Sequence, residues 1–288
     1  MINNHSSRPL IGTHVSTAGG LAKAIDRAEA IGAEAIQIFG VSPRSWSAPL
    51  PSAEAIAAYR KRLAASSVRA VYLHAPYLIN LASPDPRLRN ISTHNLIAHF
   101  KITEAIGAAG LIFHLGSGKE MPMVDALAVS IEAMRKAVQD VPGRAHLIME
   151  NSAGGGQKIG ATMEDLQILY RGVDSRRLKI CFDTAHAFEA GLVMDYAPDN
   201  IDQLCRELDR TVGLQNVVVV HANDSRTAAS SHHDQHENIG QGHIGLAGFQ
   251  NLARESKFCK MPWLLEVPGF DGEGPDAKNI KILKECFD

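Results

Sequence analysis

The chain has 288 residues, 45% of them apolar and 21% charged, with 29 Lys and Arg against 31 Asp and Glu. That apolar content supports a sizeable core and excludes wholesale disorder. A formal net charge of -2 excludes a bulk basic surface, so any hold on nucleic acid needs another source of positive charge.

Taken in chain order, short apolar runs alternate with amphipathic stretches. The opening MINNHSSRPLIG has no basic stretch followed by an apolar run, so no secretory leader is expected. Strands are expected at IGTHV from Ile11, AEAIQIFG from Ala33, AVYLHAP from Ala70 and GLIFHLG from Gly110. Four more follow at AHLIMEN from Ala145, LKICFDTAH from Leu178, VVVVHAND from Val217 and WLLEVPG from Trp263. Near-continuous apolar runs of this length suit strands buried on both faces, as in a parallel sheet. Helices are expected after Gly20, Ser52, His94, Met123 and Thr162, then over NIDQLCRELDRTVG, LAGFQNLARES and AKNIKILKECF. Ser52 with Glu54, and Thr162 with Glu164 and Asp165, give N-terminal signals. Gly32, Gly107 and Gly213 sit where C-caps belong.

Eight strands alternating with eight helices fit a single-domain (β/α)8 TIM barrel over residues 1–288. Doubly wound sheets also alternate, so the number of units and the chain length carry the choice. No apolar run approaches the ~20 residues of a membrane span. Cys181, Cys205, Cys259 and Cys286 form no close pair, which favours a reducing, cytoplasmic compartment. Cys181 reads as a buried packing residue.

Polar residues interrupt the apolar runs in a positional pattern. His74, His114, Glu150, Asp183 with His186, His221 and Glu266 all fall at the C-terminal ends of expected strands. In a barrel those ends share one face, where active sites lie. A lone strand-end His is ordinarily a satisfied core or surface residue, and a lone Glu150 or Glu266 pairs readily with Arg. So many on successive strands is another matter, because clustered carboxylates repel unless cations join them. Imidazoles and carboxylates without Cys form a donor set for Zn2+ or Mn2+.

A second cluster lies in SSHHDQHENIGQG, a long segment expected to lack secondary structure of its own. Asp234 and His236 alternate, so an extended backbone points both the same way. His232 and His233 are read as solvent-facing, and the bland alternative is a His-rich loop that scavenges metal. Gly240, Gly242 and Gly245 are candidates to present N–H groups to a phosphate. The full set is four carboxylates and five imidazoles, enough for two or three ions with one carboxylate bridging. Three divalent ions would turn the formal charge from -2 to +4, so a near-neutral chain could still receive a phosphodiester.

These residues carry a resemblance. From GTHVSTAGGL near Gly12 to LLEVPGFDGEGPD at Asp276, the chain resembles the endonuclease IV family of metal-dependent abasic-site nucleases of base-excision repair. The motifs are HAPYLINL from His74, FHLGS from Phe113, MENSAGGG from Met149, CFDTAHAFEAG from Cys181, HANDS from His221 and DQHENIGQG from Asp234. The resemblance implies a partition of zinc ligands. His74, His114 and Glu150 would hold one ion; Glu150 would bridge to a second, with Asp183, His221 and Glu266; His186, Asp234 and His236 would hold the third. It implies catalytic roles for Glu150 and Glu266, and attack by an ion-activated hydroxide on the phosphodiester 5′ to an abasic site in duplex DNA, leaving a 3′-hydroxyl and a 5′-deoxyribose phosphate. It also implies a monomer, and DNA contacts from Arg44, Tyr77, Leu78 and Gln235. For Tyr77 and Leu78 the competing explanation is ordinary loop packing. Three positions depart from the family's habit: Ser42 where Asn is frequent, Gln235 where Arg is frequent and Val267 where Thr is frequent. Two alternatives stay open: a single-metal sugar isomerase or epimerase built on Glu150, Asp183, His221 and Glu266, and a non-catalytic lesion-binding protein.

Overall fold

A computed structural model describes residues 8–288; most of the segment read for a leader, residues 1–7, lies outside the described residues. Eight parallel strands close into a barrel: β1 (Ile11–His14), β2 (Ala35–Phe39), β3 (Ala70–His74), β4 (Gly110–Phe113), β5 (His146–Glu150), β6 (Leu178–Asp183), β7 (Val217–His221) and β8 (Trp263–Leu265). Each strand pairs with its sequence neighbours, and β1 closes the ring onto β8. The barrel expected from the sequence is therefore the observed one.

Around it lie α1 (Leu21–Ala30), α2 (Ala53–Ala64), α3 (Pro86–Ile106), α4 (Met123–Asp140), α5 (Met163–Val173), α6 (Thr184–Glu189), α7 (Pro198–Thr211), α8 (Gly245–Arg254) and α9 (Ala277–Glu285). The Ser52 and Thr162 side chains cap α2 and α5 by accepting from the backbone N–H of Ala55 and Asp165. Gly107 ends α3 at φ 78°, a left-handed conformation that costs a residue with a Cβ about 1–2 kcal/mol.

Two departures from the sequence expectation have clear causes. Helix α3 starts at Pro86, two turns before the apolar pattern begins at Asn95, because Asp85 accepts from Arg87 N at 2.8 Å and Pro86 suits a first turn. The strand expected through His186 stops at Asp183, whose carboxylate accepts from His186 N at 2.8 Å and so caps α6. His186 is thus a helix residue, and α6 makes nine helices among the described residues where eight were expected.

The interior of the barrel decides where the polar residues go. Side chains alternate across a strand, so positions two apart share a face. Ala35, Tyr72, Ile112, Ile148, Cys181, Val219 and Leu264 pack together inside the ring. Two residues further along each strand are Gln37, His74, His114, Glu150, Asp183, His221 and Glu266. The same alternation that buries an apolar layer stacks a polar layer on it at the C-terminal mouth. Beneath His14, the matching position is Gly12, where a Cβ would lie 1.8 Å from Ala35 O, so no side chain fits there.

Candidate metal centre

Seven of the nine expected ligands come from strand ends or the turn into α6, and two from the β7–α8 loop. All nine reach one rim. His74, His114 and Glu150 bring donor atoms within 4.8 Å of one another; so do Glu150, Asp183, His221 and Glu266, and so do Asp183, His186 and His236. The last group has Asp183 where the expected trio had Asp234. Asp234 stands alongside, its Oδ1 3.2 Å from His186 Nε2 and 3.8 Å from His236 Nε2.

Glu150 is fully buried and its two oxygens face different partners. Oε2 lies 3.3 Å from His74 Nε2 and 3.1 Å from His114 Nε2. Oε1 lies 3.1 Å from His221 Nδ1 and 3.2 Å from His186 Nδ1. Burial alone would raise its pKa, but His221 and His114 hold it well below the usual carboxylate range. Burial would likewise raise Glu266, and His221 with His74 bring it down to about 2. The imidazoles answer in the opposite sense. Burial would lower His186 and His221, but Asp183, Asp234 and Glu150 raise the first well above its ordinary value, and the Glu266 and Glu150 carboxylates do so for the second. Carboxylates packed this closely demand positive charge.

The donor nitrogens are oriented from behind. His74 Nδ1 donates to Ala75 O at 2.6 Å and His186 Nδ1 to Asn151 O at 2.9 Å, which turns each Nε2 to the rim. His221 is reversed: Nε2 donates to Gln37 Oε1 at 2.8 Å, and Nδ1 faces Glu150, Glu266 at 3.2 Å and Asp183 at 3.8 Å. Gln37 also donates through Nε2 to Glu266 Oε1. Asn223 donates to Asp183 Oδ2 at 2.7 Å and accepts from Glu266 N at 2.7 Å, while Asn151 accepts from Asp183 N at 2.7 Å. Such partners fix tautomers and ring orientation at metal sites. Sequence reasoning missed Gln37, Asn151 and Asn223. The two-residue offset from the barrel interior was a usable signal for Gln37; the two Asn positions had none.

Metal ions fit this arrangement. His236 Nε2 is buried and has no hydrogen-bond partner, an arrangement native structures rarely leave without a role, and the buried His186 Nε2 meets only the Asp234 carboxylate. The imidazole and carboxylate donors, with a neutral Cys181 whose thiol burial pushes up to about 12, suit a divalent ion such as Zn2+ or Mn2+ and not a soft-metal site.

The β7–α8 loop departs from expectation in two respects. It has its own antiparallel ladder, Asp224 against Glu237 and Ser225 against His236, which sets the direction of His236. The N–H groups of Gly240, Gly242 and Gly245, with that of Ile244, donate to the buried Asp224 carboxylate. They are consumed by the side chain that follows Asn223 and do not face a phosphate. His232 and His233 are exposed, as read from the sequence.

The four expected DNA-contact residues scatter. Tyr77 is 63% exposed, yet its ring sits 5.6 Å from the rings of both His74 and His114, over the first cluster. Leu78 is half-buried beside it. Arg44 is exposed on the β2–α2 loop, and Gln235 is exposed with its backbone N–H donated to Glu189. Neither Arg44, Leu78 nor Gln235 lines the cavities over the clusters.

Comparison with known proteins bears on this geometry. The family described as a xylose isomerase-like TIM barrel matches residues 25–286. A probable endonuclease 4 of Halothermothrix orenii is 34% identical over 275 residues, 95% of this chain and 99% of that one. The chain belongs to the endonuclease IV family. The crystal structure of endonuclease IV from Thermus thermophilus superposes with a TM-score of 0.83 at 33% identity, covering 96% of this chain and 98% of that one. A D-tagatose 3-epimerase-like protein reaches a TM-score of 0.73 at 20% identity, covering 96% of each chain, and shares the fold alone. Membership of the endonuclease IV family makes this chain a phosphodiester-hydrolysing nuclease. No helix among the described residues is long and apolar enough to cross a membrane.

Proposed function

We propose that this endonuclease IV relative is an abasic-site endonuclease of duplex DNA that works with three zinc ions at the barrel mouth. The observation that carries this is the divided Glu150 carboxylate, one oxygen turned to His74 and His114 and the other to His221 and His186. A carboxylate so placed could be shared by two cations, one to each oxygen. His74, His114 and Glu150 would hold the first; Glu150, Asp183, His221 and Glu266 the second; His186, His236 and Asp234 the third, with Asp183 within reach of it. When bound, the ions supply activation of water near neutral pH and neutralisation of phosphate charge.

The chain's own residues do the rest. Gln37, Asn151 and Asn223 keep the ligand nitrogens and oxygens aimed at the rim. Tyr77 presents a flat apolar face above the first cluster, where a sugar lacking its base could rest. A nucleotide without a base has nothing to unstack, so turning it toward the rim costs less than turning an intact one. Arg44 and Leu78 enter the duplex from neighbouring loops, and Gln235 contacts the backbone without charge. The products are a 3′-hydroxyl and a 5′-deoxyribose phosphate. A monomer acting on chromosomal DNA in a reducing compartment belongs to the same proposal; its four cysteines are free.

The epimerase alternative needs only the quartet Glu150, Asp183, His221 and Glu266. It leaves the other two donor groups without purpose. Single-turnover cleavage of a duplex with one abasic analogue, alongside metal content per chain, tests the proposal. Incision on the 5′ side with three ions per chain is expected. One ion with sugar isomerisation, or tight lesion binding with no incision, would refute it.

A further inference from the structure

Two cavities open over the clusters. One, of about 230 Å3, lies between the β3, β4 and β5 loops and is walled by His114, Glu150, His186 and Asp234 on the metal side, with Ser117 and Ser152 opposite. The other, of about 530 Å3, is bounded by Tyr77, His236, Glu266 and Pro268. Among the described residues that line either one, Lys158 is the single Lys or Arg.

Its backbone is held firmly. Lys158 bridges antiparallel to Ser117, Gly118 N donates to Gln157 O at 3.0 Å, and Ile159 N donates to Gly116 O at 3.1 Å. Its side chain is loosely held: Nζ is 3.7 Å from Asp234 Oδ2, and the two side chains are 40% and 33% exposed. An ion pair that long and that wet is weak. Asp234 Oδ1 already faces His186 at 3.2 Å, so the ammonium has a rigid base, a free end and an anion-sized space before it.

We infer that Lys158 is a substrate-binding residue of the nuclease: its ammonium takes a non-bridging oxygen of a DNA backbone phosphate seated in the smaller cavity, supplying at this rim the side-chain cation that Gln235 does not. The assignment rests on the action on abasic duplex DNA proposed above. A lysine contacting phosphate acts as a point charge, so its loss weakens binding with little dependence on sequence and reduces the salt slope by roughly 0.9.

The test uses zinc-loaded full-length protein. Binding is measured by fluorescence anisotropy on a duplex with one tetrahydrofuran abasic analogue whose scissile ester oxygen is replaced by CH2, which keeps the charge and resists cutting. Lys158→Gln should raise Kd by roughly three- to tenfold and lower the log–log salt slope by about 0.9. On the cleavable duplex KM should rise while kcat stays within about twofold, and Lys158→Arg should restore both. Zinc per chain should not change. An unchanged salt slope, or a loss of zinc whose replacement restores wild-type Kd, would overturn the assignment; the latter would make Lys158 a support for Asp234. A wild-type protein that bound the duplex but cut nothing would refute the proposed abasic-site incision instead, while a reduced salt slope in Lys158→Gln would still place the phosphate contact.

Discussion

Replacing Gln37 with Met changes little in volume and removes one hydrogen-bond acceptor and one donor. In the native barrel, Gln37 Oε1 accepts from His221 Nε2 at 2.8 Å, and both side chains are fully buried. Without that oxygen, His221 Nε2–H has no partner. A neutral ring, the form a metal needs, then gains more with its proton on Nδ1, where Glu150 at 3.1 Å and Glu266 at 3.2 Å can accept it. Nδ1 is the nitrogen that faces the second donor group, so the favoured tautomer becomes the one that cannot bind a metal. An orphaned buried donor costs about 1–3 kcal/mol. Loss of a residue that orients a ligand commonly lowers metal affinity by roughly 10- to 100-fold, which is about 1.4–2.8 kcal/mol. Zinc affinity of Gln37→Met, read by competition with a chromophoric chelator, is expected to fall by that factor at one site, with the circular dichroism of the protein unchanged. Affinities within twofold of wild type at every site would refute the orienting role of Gln37.

Glu150→Gln keeps the shape of the bridging group and removes its charge; turnover should be abolished and at least one zinc per chain lost, as measured by elemental analysis beside single-turnover cleavage. Zinc binding to the metal-free protein at pH 7 should release protons, because His114, His186 and His221 are all held above their ordinary values and a ligand imidazole must be neutral; calorimetry in two buffers of different ionisation enthalpy reads this, and an enthalpy independent of buffer would contradict it. At the opposite end of the barrel, Glu34 accepts from Arg8 at 2.6 and 2.7 Å and from Ile11 N at 3.1 Å. Burial would raise its pKa, but Arg8 and Ile11 bring it down to about 2. A lowered carboxylate pKa stabilises the fold above about pH 4.5 and loses that contribution as pH falls toward 2. Urea unfolding should therefore show Glu34→Gln destabilised at pH 7 and nearly equal to wild type near pH 2.

The sequence alone determined the barrel, because eight apolar runs separated by amphipathic helices leave few ways to bury both faces of a sheet. It also determined that His74, His114, Glu150, Asp183, His221 and Glu266 share a rim, since strand-end position and the two-residue alternation are properties of the chain itself. Helix α6 was hidden, because its start depends on the Asp183 carboxylate turning to cap it and not on any apolar period. The use of Gly240, Gly242 and Gly245 was hidden for a similar reason: a glycine's N–H reports freedom, and only the closed fold shows that Asp224 has taken it. Tertiary structure alone decided which nitrogen each imidazole turns to the rim, through carbonyls and amides as distant in the chain as Gln37 is from His221. Hydrogen bonds across the barrel join residues that no local pattern relates, so the residue types at the site were legible while their orientation was not.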